Sequence, residues 1–262
     1  MFDALYISAT GMQAQQLNVD TIANNLANVN TTGFKKSKVG FSDLMVREAG
    51  RLGQTQEGAG ILGAESRLGA GVGIASVSKL FDMGDLKKTE SAFDVAIQGE
   101  GFLEVTMPDG SSTFTRGGTF KVNRDGLLAT SGGFPLKSNI AIPDNAQNMQ
   151  IDGDGRVRVQ VGGQSTPIEV GQLDLVRFTS PTALLPQGDN LYRSSTGSGE
   201  AIAAKASEDG MGSFAQGFLE GSNVKLTEEM VNLMVAQRVY EANVKVMQAS
   251  DEMLGMINGL RK

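Results

Sequence analysis

The chain has 262 residues, 40% of them apolar, a formal net charge of -6, and no His, Cys or Trp at all. Those zeros exclude imidazole-assisted Ser or Cys nucleophiles, disulfides and zinc sites of the usual thiolate or imidazole kind. The acidic balance gives no broad cationic face for nucleic acid, and no run reaches the roughly 18 apolar residues that span a membrane.

The first thirty residues carry no Lys or Arg, only Asp3 and Asp20 as charges, and no continuous apolar block, which is not the pattern of a secretory signal. Leu5, Ser8, Met12, Gln15, Val19, Ile22, Leu26 and Val29 follow alternating steps of three and four and form a heptad seam. A helix from Ala4 to Asn28 follows, about 38 Å long at about 1.5 Å per residue. Asn30, Thr31, Thr32 and Gly33 then provide a stop, with Gly33 suited to a left-handed cap. Gln13, Gln15, Gln16, Asn18, Asn24, Asn25, Asn28 and Asn30 give this helix a polar face almost free of charge. Such a face suits contact with other protein, where charges are costly to desolvate. Lys35, Lys36 and Lys38 are the basic cluster, read as a solvated loop, with an acidic partner surface as the alternative.

Residues 46–76 hold eight glycines and no proline, so a loop or an extended hairpin is expected, without a core of its own. Gly69-Ala70-Gly71-Val72-Gly73 lacks the following Lys-Ser/Thr of a phosphate loop. Ser76-Val77-Ser78-Lys79 has the Ser-x-x-Lys spacing but no companion Lys-Thr-Gly.

All six prolines lie between Pro108 and Pro186, and all but three of the 34 glycines lie between the two ends of the chain. This centre reads as short strands: Ala92–Ile97, Phe102–Val105, Thr119–Val122, Arg156–Val161 and Leu173–Phe178, bounded by Gly, Asn or Asp. Asp152-Gly153-Asp154-Gly155 lacks the closing Glu of a calcium loop and is read as a two-residue hairpin turn before the Val157 strand. The acid pairs Glu100 with Glu104 and Asp82 with Asp85 have the composition of a glycosidase pair, but 6% aromatic content without Trp argues against a sugar cleft.

Near the C-terminus, Leu226, Met230, Leu233, Gln237, Tyr240, Val244, Met247, Asp251 and Leu254 repeat at heptad steps. A second, wholly apolar stripe runs beside them through Val231, Val235, Val239, Ala242, Val246, Ala249, Met253, Met256 and Leu260. Nothing breaks a helix from Lys225 to Leu254, and Thr227, Glu228 and Glu229 suit its start. A surface helix needs one apolar stripe; this one offers more than a single partner covers. The expected fold is α+β: discontinuous terminal helices forming a coiled-coil pair that carries an inserted antiparallel β domain. The expected divisions are 1–33 with 222–262, a Gly-rich connector 34–80, and a β-rich domain 81–221. The residues expected to meet neighbouring copies are Leu5, Met12, Val19, Ile22, Leu26, Val29, Met230, Leu233, Val235, Val239, Tyr240, Val244, Met247 and Leu254.

The run Ala23-Asn24-Asn25-Leu26-Ala27-Asn28-Val29-Asn30-Thr31-Thr32-Gly33-Phe34-Lys35 resembles the N-terminal signature of the bacterial flagellar rod and hook proteins. Leu219–Val224, Glu229-Met230-Val231, Gln237–Asn243 and Lys245 resemble that family's closing helix. Asp94–Phe102, Phe114–Phe120 and Asp125-Gly126 resemble its β domain, with Leu103-Glu104 and Gly117 as departures. Length and the Gly-rich stretch resemble the distal-rod branch most. The resemblance implies a subunit that stacks on copies of itself in a helical homopolymer, the drive shaft between motor and hook. Its implied partners are proximal rod proteins, the hook protein, the P-ring and L-ring proteins and the flagellar type III export apparatus, with neither nucleic acid nor membrane insertion. The implied location is the basal body, from periplasm to outer membrane, reached without a cleaved signal, and no catalysis, cofactor or metal is implied. The alternatives are a proximal rod or hook subunit and, from another class, a secreted carbohydrate-binding or carbohydrate-active β protein.

Overall fold

A computed structural model describes residues 2–47, 67–162, 166–208 and 210–259. The chain divides into two compact units, the first made of Met1–Leu26, Ser37–Ser78 and Leu226–Lys262 and the second of Ala27–Lys36 and Lys79–Lys225. The 34–80 connector expected as a separate element is thereby split: most of it belongs with the terminal helices, and its two ends belong to the β unit.

In the first unit, α1 (Phe2–Ala27) and α2 (Leu226–Gly259) are the two long helices, and β1 (Ser37–Arg47) pairs with β2 (Arg67–Lys79) in a two-stranded sheet. The extended hairpin expected over 46–76 is thus present where the chain is described; residues 48–66 lie outside the described residues. Gly40 lies opposite Ser76, and Gly73 opposite Ser42 and Leu44. Two strands alone are marginal in water, so the hairpin needs support. It receives support from α1 through the glycine run that resembled a phosphate loop. Gly71, at φ +113°, brings its backbone against Thr10 and the Cα of Ile7, and the Val72 N–H donates to Thr10 Oγ1 at 3.4 Å. A side chain at this position would meet Thr10, so glycine here serves close approach.

The helices begin and end near the expected positions, but their inward faces are offset. On α1 the buried residues are Ser8, Ala14, Thr21, Ile22 and Asn25; on α2 they are Glu229, Ala236 and Ser250. The heptad seam read from apolar residues is therefore displaced by one position over much of its length. Gly11 faces Asn243 and Asn25 meets Glu229, which makes the pair antiparallel. Apart from Ile22, the most buried positions carry small or polar side chains, while the large apolar residues Leu5, Met12, Val19, Leu26, Leu233, Val244, Met247 and Leu254 flank them half-buried. Val29, expected at the end of the α1 seam, lies past the helix in a turn, and Thr227 falls inside α2 rather than capping it.

The second unit is an antiparallel β assembly of short strands. One four-stranded sheet orders Ser213–Gln216, Asp94–Gln98, Gly117–Val122 and Leu128–Thr130; another orders Leu185–Gly188, Leu191–Arg193, Ser112–Thr115 and Leu103–Thr106. A three-stranded sheet contains Ala146–Ile151, Arg156–Val161 and Ile168–Gln172, and Asp174–Arg177 pairs with Ile202–Lys205. The largest core gathers Val95, Ile97, Leu103, Val105, Leu128, Val157, Val159, Leu173 and Leu175, each 2% exposed or less. Val157 and Val159 occupy it because the alternation in Arg156–Val161 turns every second side chain inward.

A second core is aromatic. Phe81, Phe102, Phe114, Phe178 and Tyr192 meet edge to face with ring centroids 4.7 to 6.4 Å apart. That geometry sets the positive edge of one ring against the negative face of the next, worth about 0.5–1.5 kcal/mol per pair beyond burial. The Asp152–Gly155 turn has three loop residues rather than two. The Asp152 N–H donates to the Arg156 carbonyl, and Gly155, at φ +87°, takes the left-handed bulge position.

Candidate assembly interface

The surface of α2 is apolar on its outward side. Val231, Val235, Val239, Val246, Met253 and Met256 are 39 to 63% exposed, and Met230, Met234 and Tyr240 are exposed with them. Ala242 and Ala249 complete the expected second stripe, while Leu260 lies outside the described residues. Burial of α2 within its own unit is left to the offset face, so the stripe stays uncovered among the described residues.

The residues expected to meet other copies fall into three groups. Met230, Val235, Val239 and Tyr240 are exposed; Leu5, Met12, Val19, Leu26, Leu233, Val244, Met247 and Leu254 are half-buried; Ile22, at 5%, is covered inside the chain. Val29 is half-buried in the second unit. The hairpin adds Phe41, Leu44, Met45, Ile74 and Val77, all exposed and not anticipated as contact residues. Their one readable signal is that large apolar groups on both strands exceed what a two-stranded ribbon buries. The amide-rich face of α1 is also partly turned inward. Asn25 is 2% exposed and bonded within the chain, whereas Gln13, Gln16, Asn24 and Asn30 are exposed.

Within the β unit, the segments that follow α1 and precede α2 are joined by a buried clasp. Glu220, on the Phe218–Glu220 strand, accepts from Lys35 Nζ at 2.6 Å, from Arg116 Nε at 3.4 Å and from the Gly84 N–H at 2.9 Å. Lys35 also donates to the Asp82 carbonyl, and Arg116 donates to the carbonyls of Gly101 and Gly99. All three charged residues are nearly inaccessible to water. Two cations share one carboxylate, and backbone carbonyls supply the remaining acceptors. Burial holds the Lys35 ammonium below its usual pKa, against the opposing pull of Glu220. Tyr192 beside them is pushed up to about 12, first by burial and then by the Glu220 charge.

Lys35 therefore does not sit in the solvated basic loop expected of Lys35, Lys36 and Lys38. Chain reversal at Gly33 aims it inward, where the Gly33 N–H donates to the Glu220 carbonyl at 2.8 Å. Asn223 closes the same junction: its Oδ1 accepts from the Lys36 N–H, and its Nδ2 donates to the carbonyls of Leu80 and Asp82. Neither residue shows this role in the sequence, because Glu220 lies 185 positions from Lys35 and the partners of Asn223 lie 141 or more from it.

Of the acids weighed for catalysis, Glu104 is paired with Lys137 at 2.8 Å. Asp152 and Asp154, weighed as a calcium loop, pair with Arg158 and Arg156. A groove of the β unit, about 750 Å³, is lined by Thr31, Phe34, Thr130, Phe134 and Tyr192 among others. Its ammonium, Lys79, donates to the Lys35 carbonyl and sits 4.1 Å above the Phe34 ring.

Two terminal helices with an uncovered apolar stripe, and a β unit inserted between them, define a class of helix-flanked chains whose ends fold together. Family models match all three parts: flagella basal body rod protein over residues 5–35, flagellar hook protein FlgE/F/G D1 domain over 96–159, and flagellar basal body rod FlgEFG protein C-terminal over 215–260. The chain is 42% identical to the flagellar basal-body rod protein FlgG of Borreliella burgdorferi over 100% of both chains. It is 36% identical to FlgG of Bacillus subtilis, again over 100% of both, and 33% identical to FlgF of Caulobacter vibrioides over 98% of this chain and all of that one. The chain belongs to the flagellar basal-body rod family, and it shares more identity with these FlgG proteins than with that FlgF.

Proposed function

We propose that this chain is a structural subunit of the flagellar distal rod that polymerises with copies of itself into the shaft transmitting torque from motor to hook. The observation that carries the reading is the uncovered α2 stripe from Val231 to Met256. At about 1.5 Å per residue, the segment from Val231 to Met256 gives a strip on the order of 40 Å long and, at about 10 Å wide, on the order of 400 Å². A stable contact buries about 800 Å² per partner, so the stripe supplies about half of one interface and the exposed hairpin residues Phe41, Met45 and Val77 supply more. Burying each such side chain contributes about 1.5–3 kcal/mol.

The family places the chain in the basal body. A position across periplasm and outer membrane, contacts with proximal rod, hook and ring proteins, and passage through the export apparatus extend that reading. In the test, purified chain is induced to polymerise and imaged by electron microscopy. The native chain is expected to form filaments with an axial channel, and Val239→Asp to form none while the β unit stays folded by circular dichroism. Filaments of normal length from Val239→Asp would sink the proposal. Deleting residues 50–70 separates the distal rod from the proximal rod and hook alternatives: a bent or shortened polymer favours the distal rod.

A further inference from the structure

The contact between α1 and α2 carries two polar features at matched steps. Asn25 donates from Nδ2 to the Ser37 carbonyl at 2.9 Å and to Glu229 Oε2 at 3.3 Å, while its Oδ1 accepts from the Ser37 N–H at 2.8 Å. Glu229 is itself only 4% exposed. Nearer the start of α1, Gly11 faces Asn243 so closely that a Cβ there would lie 2.9 Å from Nδ2. Fourteen residues separate Gly11 from Asn25, and fourteen separate Glu229 from Asn243. Both contacts therefore belong to one antiparallel register, two heptads apart, which sets Asn18 opposite Ala236 midway.

The rest of the seam does little to enforce that register. Apart from Ile22, its buried residues Ser8, Ala14, Thr21, Ala236 and Ser250 are small, and the three hydroxyls donate to carbonyls of their own helices, at Ala4, Leu17 and Val246. A small seam tolerates sliding by a heptad, since each new partner is small as well. The polar pairs do not tolerate it. A slip in one direction sets the buried Asn25 amide against Ala236 and takes Glu229, its acceptor on α2, away from it. A slip in the other sets Asn243 against Ala4, where a Cβ already stands. Each slip strands a buried polar group or crowds one.

We propose that Asn25 with Glu229, and Gly11 with Asn243, form a register lock, in which Asn25 is a positioning residue holding α1, the start of β1 and α2 to one alignment. By fixing α2 against α1, the lock also fixes which α2 residues remain outward for another copy. That last step rests on the proposed polymerisation; the register itself does not.

The native chain has no cysteine, so introduced pairs report register without background. Asn18→Cys with Ala236→Cys reports the locked register, and Ala4→Cys with Ile257→Cys reports a one-heptad slip. Disulfide yield under mild oxidation is measured in the full-length chain, as monomer and after polymerisation. The first pair is expected to close and the second to stay open. Adding Asn25→Leu should lower the first yield several-fold and raise the second, Asn243→Leu should act likewise without touching Ser37, and Glu229→Gln, which keeps an acceptor, should leave the first yield unchanged. Helicity by circular dichroism separates slip from unfolding. The proposal is overturned by an unchanged first yield in both leucine variants, by yields that fall only in proportion to lost helix, or by closure of the first pair no better than in urea-unfolded chain. Failure of polymerisation with these cross-links intact bears on the proposed function alone.

Discussion

Glu220 is the residue whose surroundings leave least freedom. Its carboxylate is the shared anion of Lys35 and Arg116, with side-chain exposures of 2, 0 and 4% respectively. Replacing it by Gln keeps the shape but leaves two buried cations without a counter-charge, and breaking such a pair costs about 3–5 kcal/mol. Glu220→Gln should therefore lower the urea midpoint of the β unit by a corresponding amount, without a change in slope. Tyr192 gives a pH test. Its pKa is raised from 10.0 to about 12, so the folded chain holds the phenolic proton more tightly than the unfolded one. The resulting stability is complete below pH 10 and is lost as the pH rises towards 12, by up to about 2–3 kcal/mol at 1.36 kcal/mol per unit. Lys35 acts in the opposite sense. Its lowered pKa means that the unfolded chain binds the proton better, and stability rises with pH up to the ordinary lysine value. The difference between native chain and Tyr192→Phe isolates the tyrosine: urea unfolding at pH 9 and pH 11.5 should show a smaller alkaline loss in the variant, and parallel losses would refute the assignment.

At the scale of elements, the helices were legible and their inward faces were not. Steps of three and four placed both helices within a few residues of their observed ends, because periodicity and the scarcity of Gly and Pro are local properties. Scoring positions by apolarity then favoured Met230 over Glu229 and Val244 over Asn243. Glu229 is inward because it accepts from Asn25, and Asn243 because Gly11 leaves room for it. The hairpin shows the same limit. The Gly69–Gly73 run marked a departure from ordinary strand composition, but its purpose became visible only where Gly71 meets Thr10. Gly71→Ala places a Cβ in a left-handed backbone against α1, at a cost of about 1–3 kcal/mol. Faster hydrogen exchange across β1 and β2, with the Asp94–Gln98 strand unchanged, is the expected result; uniform exchange would mean that the hairpin does not depend on this contact.

For the whole molecule, the chain passes between its two units four times, so neither unit is continuous in sequence. The Gly33 to Glu220 hydrogen bond and the Asn25 to Glu229 contact join residues 187 and 204 positions apart. Closing such loops costs entropy before any contact repays it, and both units therefore depend on non-local pairings. A long apolar face that remains uncovered after these pairings form is the property through which this rod-family chain is proposed to join its neighbours, and the Val239→Asp experiment is aimed at that face.

The sequence by itself determined the family, the α+β order of parts and the lengths of the helices, since motifs, periodicity and turn residues are all local. It also placed the strand Arg156–Val161 and the inward side of its valines. Only the tertiary structure decided that Lys35 is buried, that Asn25 and Glu229 meet, and that residues 37–78 belong with the helices. Each of those outcomes depends on partners far along the chain and on the fit of side-chain volumes, and neither quantity is present in a local window of residues. The absent His and Cys excluded whole chemistries at the outset; the small residues between the helices show what the fold uses in their place, which is close packing with a few buried polar pairs to hold it in register.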